Sequence, residues 1–468
     1  MRVLSFSSLT MGLGVLLAGV ILATPLGACG SSTESTFDGG GGGDDGGIID
    51  PPFRHDASLD ARPCVGLECR RATCQGGAKT KLTGKVFDPS GTVPLYNALV
   101  YVPNAPVEAF KPGITCDRCG TVPSGSPIAT ALTDAKGEFV LDDVPAGADV
   151  PVVVQIGRWR RQVIIPSIGE CVANPVDAEL TRLPRNQAEG DIPQIAITTG
   201  SADSLECFVR KLGIDAAEMS NPAGTGRIHL FTGNGSKVDG TTPNATTLWN
   251  DATTLKRYDM VILSCEGDEH NETKSAEAKE NLRDYLDLGG RVFASHFHYT
   301  WFKNGSAPLQ ATATWVGNGS AGDQMTSIDT SFAKGQAFAD WLVNVGASPT
   351  RGVVPMTELR RNVTTVPGAG AAPDTSRRWI YAPNGAAEDT KFYSFNTPVG
   401  TPPDKQCGRG VYTDIHVSSG DESSGTFPAN CKTTGFTEQE KALLFLLFDL
   451  SSCVQDESKP PVPPEVPR

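Results

Sequence analysis

The sequence predicts a multidomain chain in which a β-sandwich precedes an α/β domain built on a parallel sheet. Three observations predict this. Short runs rich in β-branched residues recur at close intervals between about 79 and 183, the pattern of a sandwich. From about 191 onward, apolar strand runs alternate with amphipathic helix patterns, the pattern of a parallel sheet covered by helices. The chain has 468 residues of which 39% are hydrophobic, enough for two or three domains. Its 51 Gly and 34 Pro make it too turn-rich for a helical bundle. A net charge of −13 without any Lys/Arg-rich run argues against a nucleic-acid partner.

In chain order, the first feature is an apolar stretch over 9–26 that follows a start carrying only Arg2. Its core has the length of an export-signal h-region rather than of a membrane span. The segment Leu26-Gly27-Ala28-Cys29 resembles the bacterial lipobox. That resemblance implies removal of residues 1–28 and lipidation of Cys29. Gly30, standing where an inner-membrane retention signal would place Asp, resembles sorting to the outer membrane. The expected partner is therefore the membrane, through a lipid anchor at Cys29 on the periplasmic or cell-surface side. Residues 29–63 turn to Gly, Ser, Asp and Thr, which cannot bury enough apolar surface to fold and read as a flexible tether. At the other end, 456–468 is a Pro-rich segment expected to be an unstructured tail.

The chain has 12 Cys, an odd eleven once Cys29 is set aside. In an exported protein most are expected in disulfides. Cys64, Cys69, Cys74, Cys116, Cys119 and Cys171 precede the second domain, and sequence does not choose their connectivity. Cys116-Asp117-Arg118-Cys119 also suits a redox dithiol or half a zinc site, although no βα unit follows it. Cys207, Cys265, Cys407, Cys431 and Cys453 lie in the second half, so one thiol there is expected to stay free. Cys407, Cys431 and Cys453 are disulfide candidates.

Within the first folded segment, 64–185, strands are predicted at 82–87, 98–102, 128–133, 137–141, 152–156 and 162–165. Thr133-Asp134…Gly137 reads as a hairpin turn, with Asp134 capping local N–H groups and Gly137 supplying a positive φ. The run Leu82-Thr83-Gly84-Lys85-Val86-Phe87-Asp88 is followed by Pro94–Val100, Thr133–Phe139 and Val144-Pro145-Ala146-Gly147. This order resembles the carboxypeptidase regulatory-like (transthyretin-like) domain. The resemblance implies a prealbumin-like sandwich and no peptidase activity. An insertion at 104–127 departs from it. Arg158-Trp159-Arg160-Arg161 is either a binding patch, with Trp159 stacked on guanidinium groups, or an exposed strand with basic flanks.

In the second segment, 190–455, strands are predicted at 194–199, 227–231, 260–264 and 291–295. Helices are predicted at 204–212, capped by Asp203, and at 275–288, closed by Gly289-Gly290. Later come helices at 331–345 and 437–450 and strands at 379–382, 392–395 and 410–416. The run Tyr258–Ser264, with Gly289-Gly290-Arg291-Val292-Phe293-Ala294-Ser295-His296 and Gly410–His416, resembles the class I glutamine-amidotransferase-like fold and is nearest its ThuA-like branch. That implies a flavodoxin-like α/β domain. Across its length the chain looks like a family of bacterial surface lipoproteins. Glutaminases of the fold place a nucleophilic Cys at the turn where this chain has His296, so glutamine hydrolysis through a thioester is excluded. Cys265, in Ser264-Cys265-Glu266-Gly267, is half such an elbow but follows the preceding strand.

Ligands of such sheets bind outside the carboxyl ends of the strands. Those ends carry Thr199, Ser201, Glu266, Asp268, His296, His298 and His416. If the strand persists, His296 and His298 share a face and, with His416, form a candidate divalent-metal set. Glu266 or Asp268 then orients an imidazole or serves as a base. His296, His298, Glu266 and His416 are the catalytic candidates. Thr199, Ser201, Asp268, Tyr299 and Trp301 are the ligand-binding ones. Tyr299, Trp301, Phe302 and Trp315 either stack on a sugar ring or cover the sheet edge. Two readings follow: a non-catalytic module binding surface carbohydrate or protein, without cofactor, or a hydrolase or sugar-modifying enzyme using the His and carboxylate crevice, with or without a divalent metal. The first is favoured.

Overall fold

The computed structural model describes residues 63–368, 375–417, 421, 423–432 and 435–466. Cys29, the export segment and the tether as far as residue 62 lie outside them. The described residues form one compact unit. Among the described residues no helix is long and apolar enough to cross a membrane.

The first part is built on β-strands, with only short helical turns at 66–70, 75–77 and 178–181. Its strands are β1 (Lys81–Lys85), β2 (Leu99–Pro103), β3 (Pro127–Leu132), β4 (Glu138–Asp142), β5 (Gly147–Ile156), β6 (Trp159–Ile168) and β7 (Ala173–Pro175). They form a three-stranded sheet, β4-β1-β7, and a four-stranded sheet, β3-β2-β5-β6. Alternation is visible in β4, where Phe139 and Leu141 are buried between exposed Glu138, Val140 and Asp142. Leu82, Phe139 and Leu141 of one sheet share a core with Val100, Val152, Val154 and Ile165 of the other. The predicted turn forms: Asp134 Oδ1 accepts from the N–H groups of Lys136 and Glu138, and Gly137 has φ +74°. Trp159 is 2% exposed and so is not part of a surface patch. Arg158 and Arg160 instead lay their guanidinium groups over Phe110, 5.6 and 4.0 Å from its centroid.

A ten-stranded mixed sheet organises the rest. Its strands are β8 (Ile195–Thr199), β9 (Met219–Ser220), β10 (Ile228–Thr232), β11 (Met260–Leu263), β12 (Arg291–Ser295), β13 (Ser320–Ile328), β14 (Val353–Arg360), β15 (Arg377–Asn384), β16 (Ala387–Thr397) and β17 (Gly408–Thr413). The order is β14-β13-β15-β16-β17-β12-β11-β8-β10-β9. The pairings from β17 through β9 are parallel, whereas β16, β15, β13 and β14 pair antiparallel. The expected parallel sheet thus accounts for one side of a mixed one. Buried positions on the parallel strands alternate between two cores. Ile197, Leu230, Ile262 and Phe293 face one. Ala196, Phe231, Val261 and Ala294 face the other, under the helix Ala276–Asp287.

The first of these cores also holds the β-sheets of the N-terminal part. The helix Glu438–Ser451 lies at that junction. Its run Ala442-Leu443-Leu444-Phe445-Leu446-Leu447-Phe448 is buried throughout, as a helix apolar on all faces must be. Phe445 stacks on Tyr96, and Phe448 meets Trp159 edge-on. Gly157, in the β5–β6 turn, has φ +52°, and a Cβ there would lie 1.9 Å from the Ser451 carbonyl oxygen. Only glycine lets the two parts approach so closely.

Among the described residues there are five disulfides: Cys64–Cys69, Cys74–Cys171, Cys116–Cys407, Cys119–Cys453 and Cys207–Cys431. The six N-terminal cysteines therefore do not pair only among themselves. Cys116 and Cys119 bind two different distant partners, which removes the redox-dithiol and zinc readings of that motif. The inserted 104–127 loop is in this way fastened to the α/β part. The Pro-rich end, expected to be unstructured, is also held: Glu457 pairs with buried Arg409 and Lys334, and Thr130 Oγ1 donates to the Pro464 carbonyl at 2.9 Å.

Candidate functional site

Strands β17, β12, β11 and β8 are consecutive neighbours, and their carboxyl ends open side by side. After β12 the chain does not continue extended. It turns into a short helical segment, His296–Tyr299, with His296 at φ +36°. A positive φ at a non-glycine residue is strained and is usually held by its surroundings. The turn sends His296 and His298 in different directions.

His296 meets residues from both neighbouring strand ends. Its Nδ1 lies 3.3 Å from the Cys265 sulfur, and its ring centroid is 5.0 Å from that of His416. One ligand-capable atom from each of Cys265, His296 and His416 lies within 4.8 Å of the others. On the far side, His296 Nε2 bonds Asn318 Oδ1 at 3.0 Å, so that nitrogen carries the proton and Nδ1 presents its lone pair to the thiol. His416 Nε2 has no hydrogen-bond partner among the described residues. Cys265, His296 and His416 are 0, 2 and 3% exposed. Burial lowers His296 to about 4 and His416 to about 3, with Arg360 acting in the same direction. Burial pushes the Cys265 thiol up to about 12, against the Phe297 and Gly267 N–H groups that favour its thiolate. All three groups are therefore neutral near pH 7.

His298, expected to share in a metal set, is fully engaged elsewhere. Its Nε2 donates to the Ser264 carbonyl at 2.8 Å, and its Nδ1 accepts from Trp301 Nε1 at 3.0 Å. Glu266 is not a free base: its carboxylate is 2.6 Å from Lys274 Nζ and 3.9 Å from His298. Thr199 Oγ1 donates to the Ser236 carbonyl, and Ser201 Oγ to that of Glu266. Asp268 is exposed, and its carboxylate accepts from the adjacent Glu269 N–H. Trp301 is wholly buried against Trp249. Tyr299 is 2% exposed and donates its hydroxyl to Glu269. Neither ring is open for stacking on a sugar; they cover the sheet. Asp203, expected to cap a helix, instead accepts from Ser295 Oγ and the Val417 N–H and ties three strand ends together.

Sequence reasoning missed Asn318, Arg360 and the membership of Cys265. Asn318 precedes β13 and Arg360 ends β14, strands that carry weak patterns, and Cys265 is 31 residues from His296. The sequence signal for Cys265 was its place one step beyond a strand end. The row thiol–imidazole–amide has the order of nucleophile, base and orienting group. The same thiol and two imidazoles are donors suited to a borderline-soft divalent ion. Burial separates these possibilities, because it closes the thiol to an incoming substrate and keeps it protonated.

No family model matches the chain, and no curated protein does. Among solved structures, it is similar to a protein described as ThuA-like from Bacteroides uniformis, at 10% identity and a TM-score of 0.30, over 54% of this chain and 88% of that one. It is also similar to two mutant type II cohesin–X-dockerin complexes from Acetivibrio cellulolyticus. One has 17% identity over 26% of this chain and 78% of that chain, the other 15% over 30% and 75%, each with a TM-score of 0.16. Likenesses of this size carry no inference about activity.

Proposed function

We propose that the chain is an outer-membrane lipoprotein anchored at Cys29, and that its folded body is a non-catalytic module binding surface carbohydrate or protein. In this reading a carboxypeptidase regulatory-like, prealbumin-like unit is joined to a ThuA-like, flavodoxin-like unit in one rigid body. The five disulfides support export to an oxidising compartment. The burial of the strand-end residues weakens the alternative, a hydrolase or sugar-modifying enzyme using the His and carboxylate crevice.

The observation that carries the binding reading lies elsewhere, at the rim of the N-terminal part. A cavity of about 330 Å³ is lined by Asn97, Phe110, Arg118, Gln155, Arg158 and Arg160, within the size range of small-ligand sites. Gln155 Oε1 is buried in the cavity wall without a hydrogen-bond partner among the described residues, beside the Phe110 ring and guanidinium groups that also bond Lys111, Thr115, Glu108 and Asp191. This combination suits hydroxyl-bearing or acidic sugar units.

The test is binding of the detergent-solubilised full chain to a panel of surface polysaccharides and envelope proteins. Gln155→Ala is expected to weaken the bound ligand at least 10-fold with the melting temperature unchanged. Binding indifferent to that substitution would move the site. Turnover abolished by His296→Ala would replace the reading with the hydrolase one.

A further inference from the structure

The strand-end cluster does something the binding reading does not require. We propose that Cys265, His296 and His416 form a three-ligand site for a divalent cation of the zinc class. The ligand set differs from the one the sequence suggests, with a thiol in place of His298.

Four observations bear on it, and they are independent. The donor types are one sulfur and two imidazole nitrogens, all buried, which is unlike the exposed acidic clusters that occur without any ion. The spacing fits: Zn–S near about 2.3 Å and Zn–N near about 2.0 Å put tetrahedral neighbours about 3.4–3.6 Å apart, and Cys265 Sγ and His296 Nδ1 are 3.3 Å apart. The His296 ring is already oriented as metal-bound imidazoles are, its distal N–H given to Asn318. Finally, His416 is 3% exposed, and its Nε2 has no hydrogen-bond partner among the described residues. A buried polar atom left unpaired is destabilising, and a metal bond would remove that cost.

Each ligand comes from a different parallel strand end, so the ion would cross-link β11, β12 and β17 where the sheet is otherwise joined through Asp203. Binding replaces the Cys265 S–H bond by a metal–thiolate bond and releases that proton to solvent. With three protein ligands the fourth position falls to water, as in open zinc sites. The closed surroundings make the ion a brace for the strand ends.

Cobalt(II) titration of the disulfide-intact full chain carrying Cys29→Ala reads the site directly. Among the described cysteines Cys265 is the free one, so a sulfur-to-cobalt charge-transfer band reports its thiolate. The band is expected to saturate at one equivalent, to vanish in Cys265→Ser, and to need at least 10-fold more cobalt in His416→Ala. His298→Gln is expected to leave cobalt affinity within about 3-fold. No band in the Cys29→Ala chain, or a band that survives Cys265→Ser, overturns the proposal, as does equal affinity in His416→Ala. Should a further variant not fold, the Cys29→Ala titration decides, since a one-equivalent band supports the site and its absence removes it. None of these readouts depends on carbohydrate or protein binding, so the two proposals fail separately.

Discussion

His298 has both ring nitrogens bonded, to the Ser264 carbonyl and to Trp301 Nε1, whereas His416 keeps Nε2 unpaired. Removing one partner from a buried hydrogen bond costs about 1–3 kcal/mol for each group left unpaired. His298→Leu is therefore expected to lower the unfolding free energy by about 2–5 kcal/mol, and metal-free His416→Leu by at least about 2 kcal/mol less. Urea denaturation with disulfides intact measures both, and equal losses would contradict the assignment. Asp203 sets a pH dependence. Burial raises its carboxyl to about 7, so the folded state keeps a proton that the unfolded chain gives up near pH 4. Its stabilisation is complete below about pH 4 and is lost as pH rises through 7. The stability of the wild type relative to Asp203→Asn is expected to fall by about 2–3 kcal/mol between pH 5 and pH 8. The buried histidines, lowered by desolvation, act in the opposite direction. They act on both proteins alike, so comparing the pair at each pH cancels them.

At the scale of elements, the helix Glu438–Ser451 joins the two parts through side chains rather than loops. Phe445 contacts Tyr96, Phe338, Trp341 and Trp379. Phe445→Ala is expected to cost about 3–5 kcal/mol, in a single unfolding transition followed equally by far-ultraviolet and tryptophan signals. Two separated transitions would mean that the parts fold independently. Apolar density explains which elements were legible. β8, β10, β11 and β12 are short apolar runs, and the helix near 438 has both a capping Thr437–Glu440 pair and an apolar body. β13 and β14 were not legible. β13 is largely polar, with exposed Ser320, Asp323 and Met325, and β14 holds Pro355, so neither offers a periodic signal. The site failed at one turn: assuming that β12 persists puts His296 and His298 on one face, but the chain bends at His296. Cys265 was visible as a residue past a strand end. Its pairing with His296 and His416 depends on strand order, which sequence spacing does not contain.

At the scale of the whole molecule, Cys116–Cys407 and Cys119–Cys453 close loops with sequence separations of 291 and 334. Long loops are where a cross-link restricts the unfolded chain most. Replacing the second pair by Cys119→Ala/Cys453→Ala is expected to cost about 2–5 kcal/mol while the fold persists, because the buried Arg409, Asp449, Lys334 and Glu457 network holds the same end of the chain. Loss of folding at ambient temperature would show that the network cannot hold it alone.

Five disulfides among the described residues clamp the body around a closed strand-end centre. Counting reactive thiols in the full chain carrying Cys29→Ala tests this most directly, before and after unfolding without reductant. No labelling of the folded protein is expected, and one label per chain on unfolding, at Cys265. Rapid labelling of the folded protein, or more than one label after unfolding, would contradict it.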